Sequence, residues 1–268
     1  MKKLMTICLA AMMSVMIVGV ANADWVPADG SKMHYPQLPD PQGWDISFNW
    51  REQSFADDFK CTATGPITDI HFWGSWKNDI VGTTGKILIQ IFSNDTISGG
   101  GGSFPKPDEA LWSRVITTNQ YTSRLYTTGD QGWYDPRYTD HWYEHNHDLM
   151  YQYNIPVISN PFVQQAGKTY WLMISMDYLG CDWGWKTSLD VQGNSSVFWD
   201  SYQTWGPHCS WWRHPEIDWK WTQLKTPLGC HDPRTPVDLA FVLTTVPEPA
   251  TLFILAAGAA ALLRRRKR

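Results

Sequence analysis

From Trp44 to Trp50 a bulky apolar side chain recurs at every second position, with Trp44, Ile46, Phe48 and Trp50 on one side and Asp45, Ser47 and Asn49 on the other. A period of two is what a half-buried β-strand requires, and it is incompatible with an amphipathic helix. Comparable runs occur at 67–76, 86–92, 111–117, 151–157, 169–176, 197–202 and 237–244, and Ile87, Ile89 and Ile91 share one side of the run at 86–92. Turn formers separate them: Gly65-Pro66, Asn94-Asp95, the glycines at 99–102 and Asn160-Pro161. No stretch of twelve residues between 24 and 246 carries a 3.6-residue period with caps. About eight or nine short antiparallel strands without helical crossovers predict an all-β fold, a two-sheet β-sandwich of jelly-roll type.

Composition narrows the class further. The chain holds 17 Trp, 17 Pro and 20 Gly in 268 residues, too aromatic for a disordered chain and too rich in helix breakers for a bundle. Cations gather at the two ends, so residues 24–246 keep 15 Lys and Arg against 25 Asp and Glu, a formal charge of -10. A body so acidic excludes nucleic acid as a partner, because binding to phosphate needs clustered cations, and it disfavours adsorption to an anionic membrane. Its length suffices to bury one core.

Both ends read as addresses. Lys2-Lys3, the apolar run from Leu4 to Val20 and the small-residue triplet Ala21-Asn22-Ala23 form the charged, apolar and cleavable parts of a secretory signal peptide. Residues 1–23 are thus expected to form a signal helix that signal peptidase removes before Asp24. Four cysteines then remain, Cys61, Cys181, Cys209 and Cys230, an even number that suits oxidation outside the cytoplasm. Of the three possible pairings, Cys209 with Cys230 is preferred, because both lie in one Trp- and Pro-rich loop region that is costly to order. No CxxC spacing supports zinc instead.

At the other end Val246-Pro247-Glu248-Pro249-Ala250-Thr251 precedes an apolar stretch from Leu252 to Leu263 and the cations Arg264 to Arg268. Twelve to fourteen helical residues span roughly 20 Å, short of a bilayer core of roughly 30 Å, so this short transmembrane helix suits a transient span. The basic tail holds the end inside, and the prolines present an extended peptide at the outer interface. These residues resemble the PEP-CTERM sorting signal, with Pro247, Glu248 and Pro249 as the sorting motif. The resemblance implies processing of residues 247–268 by an exosortase, a membrane cysteine enzyme of Gram-negative bacteria that make extracellular polysaccharide.

The body, residues 24–246, carries a second resemblance. Phe55-Ala56-Asp57-Asp58-Phe59, the segment Ile67 to Gly74, the segment Gly167 to Leu172 and Val237-Asp238-Leu239-Ala240-Phe241 resemble exported jelly-roll domains of unknown function found upstream of PEP-CTERM signals. That implies a fold and brings no active site with it.

Four constellations carry chemical interest. His141-Trp142-Tyr143-Glu144-His145 spells the H-x-x-E-H zinc motif, which needs a helix; the flanking Pro136 and Pro156 argue for a solvated polar loop instead. Glycoside hydrolysis needs two facing carboxyl groups, and the body has only Glu52, Glu109, Glu144 and Glu216, with no spacing that singles out an aspartate pair. No catalytic residue is assigned. Eight tryptophans fall between Cys181 and Trp221; Trp183, Trp185, Trp211 and Trp212 are candidates for a sugar-stacking platform, whereas Trp73, Trp171 and Trp199 read as core. Finally, Asp57 and Asp58 can meet Asp238 if the terminal strands pair, and three carboxylates outside the cell suit a structural Ca2+.

These readings converge on an exported, non-enzymatic β-sandwich, sorted to the cell surface, outer membrane or extracellular matrix, touching the membrane only through its C-terminal segment. It is expected to act as a structural or polysaccharide-associated component; a carbohydrate-binding module is the alternative, and a secreted hydrolase a more distant one.

Overall fold

The computed structural model describes residues 25, 32–47, 53–95, 104–138, 141–156, 158–200, 221–229 and 234–245. The signal helix, the C-terminal helix, Trp211, Trp212, Cys209, Cys230 and the sorting motif lie outside them. The strands are β1 (Trp44–Ser47), β2 (Gln53–Lys60), β3 (Gly65–Pro66), β4 (Asp69–Trp76), β5 (Thr83–Asp95), β6 (Lys106–Ile116), β7 (Thr122–Tyr134), β8 (Trp142–Ile155), β9 (Val163–Gln164), β10 (Thr169–Leu179), β11 (Trp183–Lys186), β12 (Val197–Asp200), β13 (Thr222–Gln223) and β14 (Phe241–Thr244). The described helical structure is one 3-10 turn at Lys77–Asp79.

Two six-stranded sheets make the sandwich, in the orders β11-β1-β7-β8-β4-β14 and β13-β12-β2-β10-β5-β6; β3 and β9 form a separate ribbon. Between the sheets, Ile70, Phe72, Trp76, Tyr153, Phe241 and Leu243 of the first meet Phe55, Phe59, Ile87, Ile89, Ile91, Leu172 and Ile174 of the second in one apolar cluster. The isoleucine alternation of β5 therefore does what its period requires.

The first sheet closes on itself. β11 pairs with β1 through Asp45↔Lys186 and Ser47↔Gly184, and also with β4 through Gly184↔Ser75 and Trp183↔Trp76. Strands β11-β1-β7-β8-β4 thus form a five-membered ring. Strand direction cannot alternate all the way round an odd ring, so one neighbouring pair must be parallel. That pair is β1 and β7, with Ile46↔Tyr134 in register, where the sequence suggested only antiparallel neighbours. β1 is accordingly buried on both faces: Asp45 and Ser47, which alternation assigned to the outer face, lie inside the ring.

β14 continues the edge of β4, and its free edge is covered by the N-terminal segment, where Met33 N–H donates to Leu243 O (3.0 Å) and Gln37 N–H to Phe241 O (3.2 Å).

The tryptophans divide differently from the sequence reading. Trp183 and Trp185 are fully buried, so neither belongs to a sugar platform. Gly184 between them is forced: a Cβ there would lie 2.9 Å from Asp45 Cβ and 3.0 Å from the Trp133 ring. Their indole N–H groups donate to Tyr153 Oη and Ala240 O, both at 3.0 Å, which pins both rings in the core. Trp199, assigned to the core, is 43% exposed and packs edge-on against Trp221 at 5.9 Å between ring centroids. Trp73 and Trp171 are buried as expected.

Cys61 and Cys181 are free thiols, which corrects the expectation that every exported cysteine is bridged. Cys61 follows β2 beside the start of the 11-residue β10, and Cys181 follows its end. At roughly 3.3 Å per residue that strand holds them roughly 35 Å apart, far beyond disulfide reach. Burial also pushes the Cys61 thiol up to about 12.

Two outcomes follow. Trp183→Ala and Trp185→Ala should each cost about 3 to 5 kcal/mol in denaturant unfolding, and Trp199→Ala well under half of that. In the native protein a maleimide should label Cys181 and spare Cys61 until the chain is unfolded.

Candidate functional site

Every strand of the ring sends a polar or aromatic side chain to its interior. Asp45 comes from β1, Lys186 from β11, Ser75 from β4, Gln131 and Trp133 from β7, and His147 from β8, and all of them are buried. Lys186 Nζ lies 2.6 Å from Asp45 Oδ2, and His147 Nε2 lies 2.7 Å from the same oxygen. Lys186 also donates to Gly43 O at 3.1 Å, and His147 Nδ1 faces Asn146 Oδ1 at 3.2 Å. Asp45 Oδ1 is buried with no hydrogen-bond partner. The Asp45, His147 and Lys186 side chains are each 0% exposed.

The electrostatics follow from that geometry. Burial acts to raise the Asp45 carboxyl, but the Lys186 charge and the bonds from His147 and Lys186 outweigh it and hold the carboxyl below its ordinary value. Burial likewise lowers Lys186 from the usual lysine range, against the pull of Asp45. Breaking such a buried pair by removing one partner typically costs about 3 to 5 kcal/mol, because the other charge is stranded. Sequence reasoning misses this cluster: alternation puts Asp45 on the polar side of a half-buried strand, and His147, just beyond the H-x-x-E-H string, and Lys186 fall in no motif. Its one legible trace is Trp-Gly-Trp-Lys at 183–186, where a lysine continues a strand whose other residues are all core.

The second cluster is the predicted one. Asp57, Asp58 and Asp238 do come together, with Asp57 on β2 and Asp238 just before β14. Asp57 Oδ2 accepts from Gln37 Nε2 (2.8 Å) and Leu239 N (2.6 Å), and its Oδ1 from Asp58 N (2.8 Å). Asp58 accepts from Asn194 N and Asn194 Nδ2, both at 2.8 Å, and Asp238 from Gln192 N at 2.5 Å. The calcium expectation fails on geometry. Neighbouring residues of a strand point to opposite faces, so Asp57 and Asp58 cannot converge on one ion. Among the described residues, no group of three or more His, Cys, Asp or Glu could hold a metal. Amides do the stapling instead, tying β2, the N-terminal segment, the 192–194 loop and the approach to β14.

The H-x-x-E-H string lies at the start of β8, on a strand and not in a loop. A strand sets residues i and i+4 roughly 13 Å apart, too far to share a zinc ion. His145 instead pairs with Asp130 across the β7–β8 ribbon.

The carboxyl cluster has a pH signature. Burial, then the charges of Asp238 and Asp58, raise Asp57 well above the carboxylate range; burial raises Asp58 to about 6 and Asp238 to about 7. The folded state thus holds protons that the unfolded chain releases near pH 4, and stability falls as pH rises through the folded values. His34 acts oppositely, since burial lowers it to about 3 and its Nε2 accepts from Leu243 N, but its effect is confined to pH below about 6.5. Stability measured by urea unfolding should therefore decline from about pH 6 to 8, and Asp238→Asn should flatten that decline.

Comparison with known families bears on the whole chain. Residues 33–244 match the model of a domain of unknown function, DUF7901, and residues 245–268 match the PEP-CTERM protein-sorting motif. No curated protein and no solved structure matches the chain. The sorting motif marks an exported protein that an exosortase processes and that is sorted to the cell surface. The chain therefore belongs to the DUF7901 family, as a PEP-CTERM member whose sorting segment follows directly on the last strand of its sandwich.

Proposed function

We infer that the exported body is a non-catalytic structural component of the cell surface or extracellular matrix, associated with polysaccharide. The observation that carries this reading is the position of β14. The strand that enters the sorting segment is itself core: Phe241 to Leu243 are fully buried, paired with β4 on one edge and with the N-terminal segment near the other. A domain tethered through such a strand transmits tension along the strand into a hydrogen-bonded sheet. The two charged clusters add cross-links without offering a substrate an open cleft, since their side chains are buried.

Trp199 with Trp221 supports a second reading, a carbohydrate-binding module. Indole faces stack on the apolar C–H faces of sugars, and an acidic surface favours neutral glycans over phosphate-rich partners. This pair replaces Trp183 and Trp185 as the described aromatic surface.

Glu248→Ala, or deletion of residues 264–268, should leave an unprocessed, membrane-retained form in an exosortase-bearing host. Mass spectrometry of the mature protein should find residues 252–268 absent from wild type, and their retention would overturn the sorting model. On a glycan array, Trp199→Ala should weaken whatever neutral glycan binds by about tenfold, or about 1.4 kcal/mol, with the melting temperature nearly unchanged. Unaltered binding would leave the structural role and remove the module reading.

A further inference from the structure

The ring interior holds an amine and a carboxyl group in contact, away from water, with a third proton-carrying group on the same oxygen. The geometry points to a covalent modification site: an intramolecular amide bond between Lys186 Nζ and Asp45 Cγ, formed by the folded protein itself with His147 as proton relay.

Four observations support it. Asp45 and Lys186 are register partners on adjacent antiparallel strands, so both backbones are fixed before the side chains meet. Nζ lies 2.6 Å from Oδ2, and Cγ is one bond beyond; reaction between groups held this way escapes the entropy of bringing them together. Both donors, Lys186 and His147, bear on Oδ2, while Oδ1 has none. Asymmetry of this kind suits condensation, in which one carboxyl oxygen departs as water and the other stays as the amide carbonyl. Lastly, the pair is wholly buried, where two full charges are costly and a neutral amide is cheap, and where scarce water favours condensation over hydrolysis.

The step balances without an oxidant or cofactor. Lys186 begins as an ammonium and Asp45 as a carboxylate. One proton passes from Nζ to Oδ2, leaving a neutral amine and a neutral acid. The lone pair on Nζ then adds to Cγ, the C–N bond forms and the Cγ–Oδ1 π pair moves onto Oδ1, to return as the amide carbonyl when Oδ2 leaves. A second Nζ proton travels through His147 to Oδ2, the Cγ–Oδ2 bond breaks, and Oδ2 leaves as water. The third proton remains on the amide nitrogen, and His147 ends as it began. Burial supports the first transfer by lowering the lysine, while the low value of the Asp45 carboxyl opposes that same transfer and sets its cost.

The full chain, purified after export, reduced, alkylated and digested with trypsin under denaturing conditions, decides the matter. Trypsin does not cut at an acylated lysine. The expected product is the peptide of residues 33–51 joined to that of residues 169–213, with a mass equal to their sum less one water and fragments that place the link at Asp45 and Lys186. Lys186→Arg should abolish that species and yield residues 33–51 as a free peptide. If the wild-type digest gives only unmodified 33–51 and a peptide ending at Lys186, the proposal is wrong. A linear 33–51 peptide that has lost water by itself, or persistence of the joined species in Lys186→Arg, would equally overturn it.

Discussion

β11 is four residues long, yet it bonds to β1 along one edge and to β4 along the other, and this double engagement makes a ring out of what is elsewhere an open sheet. Closure removes two sheet edges at once and gives the first sheet an interior of its own, distinct from the space between the sheets. Two cores result. One is apolar and large; the other is narrow and contains Asp45, Lys186 and His147. A parallel contact is a consequence of closure, since directions cannot alternate throughout an odd ring, and here it falls between β1 and β7.

Much of this architecture was legible in period-two alternation. β4, β5, β10 and β14 fall where apolar residues alternate, because one side of each faces the core between the sheets. Alternation says that two faces differ; it does not say what lies over the second. Asp45 therefore reads as the polar side of a half-buried strand, when the ring folds that face inward. β7 went unread for the opposite reason. Much of Thr122–Tyr134 has solvent on both sides and so carries no apolar period, and its place is set by pairing with β8.

The tryptophans show the same limit. Trp183 and Trp199 each sit in a short aromatic strand, and nothing in local spacing separates them. Their fates depend on which sheet their strand joins: Trp183 enters the closed ring, where both faces are covered, and Trp199 lies on β12 near the margin of the open sheet. The meeting of Asp57, Asp58 and Asp238 is expected if the terminal strands pair, yet β2 and β14 lie in opposite sheets and the carboxyl groups meet without that pairing. The chemistry of that meeting was not legible, because the amide donors that satisfy it, from Gln37, Gln192, Asn194 and Leu239, come from segments with no sequence signal for that role.

The location of β14 also bears on how the chain matures during export. A sandwich whose last strand is integral to its core cannot finish folding until residues 241–244 have crossed the membrane. At that moment only seven residues, 245–251, separate the folded domain from the apolar segment that begins at Leu252. Fully extended, they reach at most about 25 Å. The sorting segment that an exosortase processes thus has its apolar stretch beginning within about 25 Å of the finished sandwich, so the processing enzyme meets it beside the folded domain.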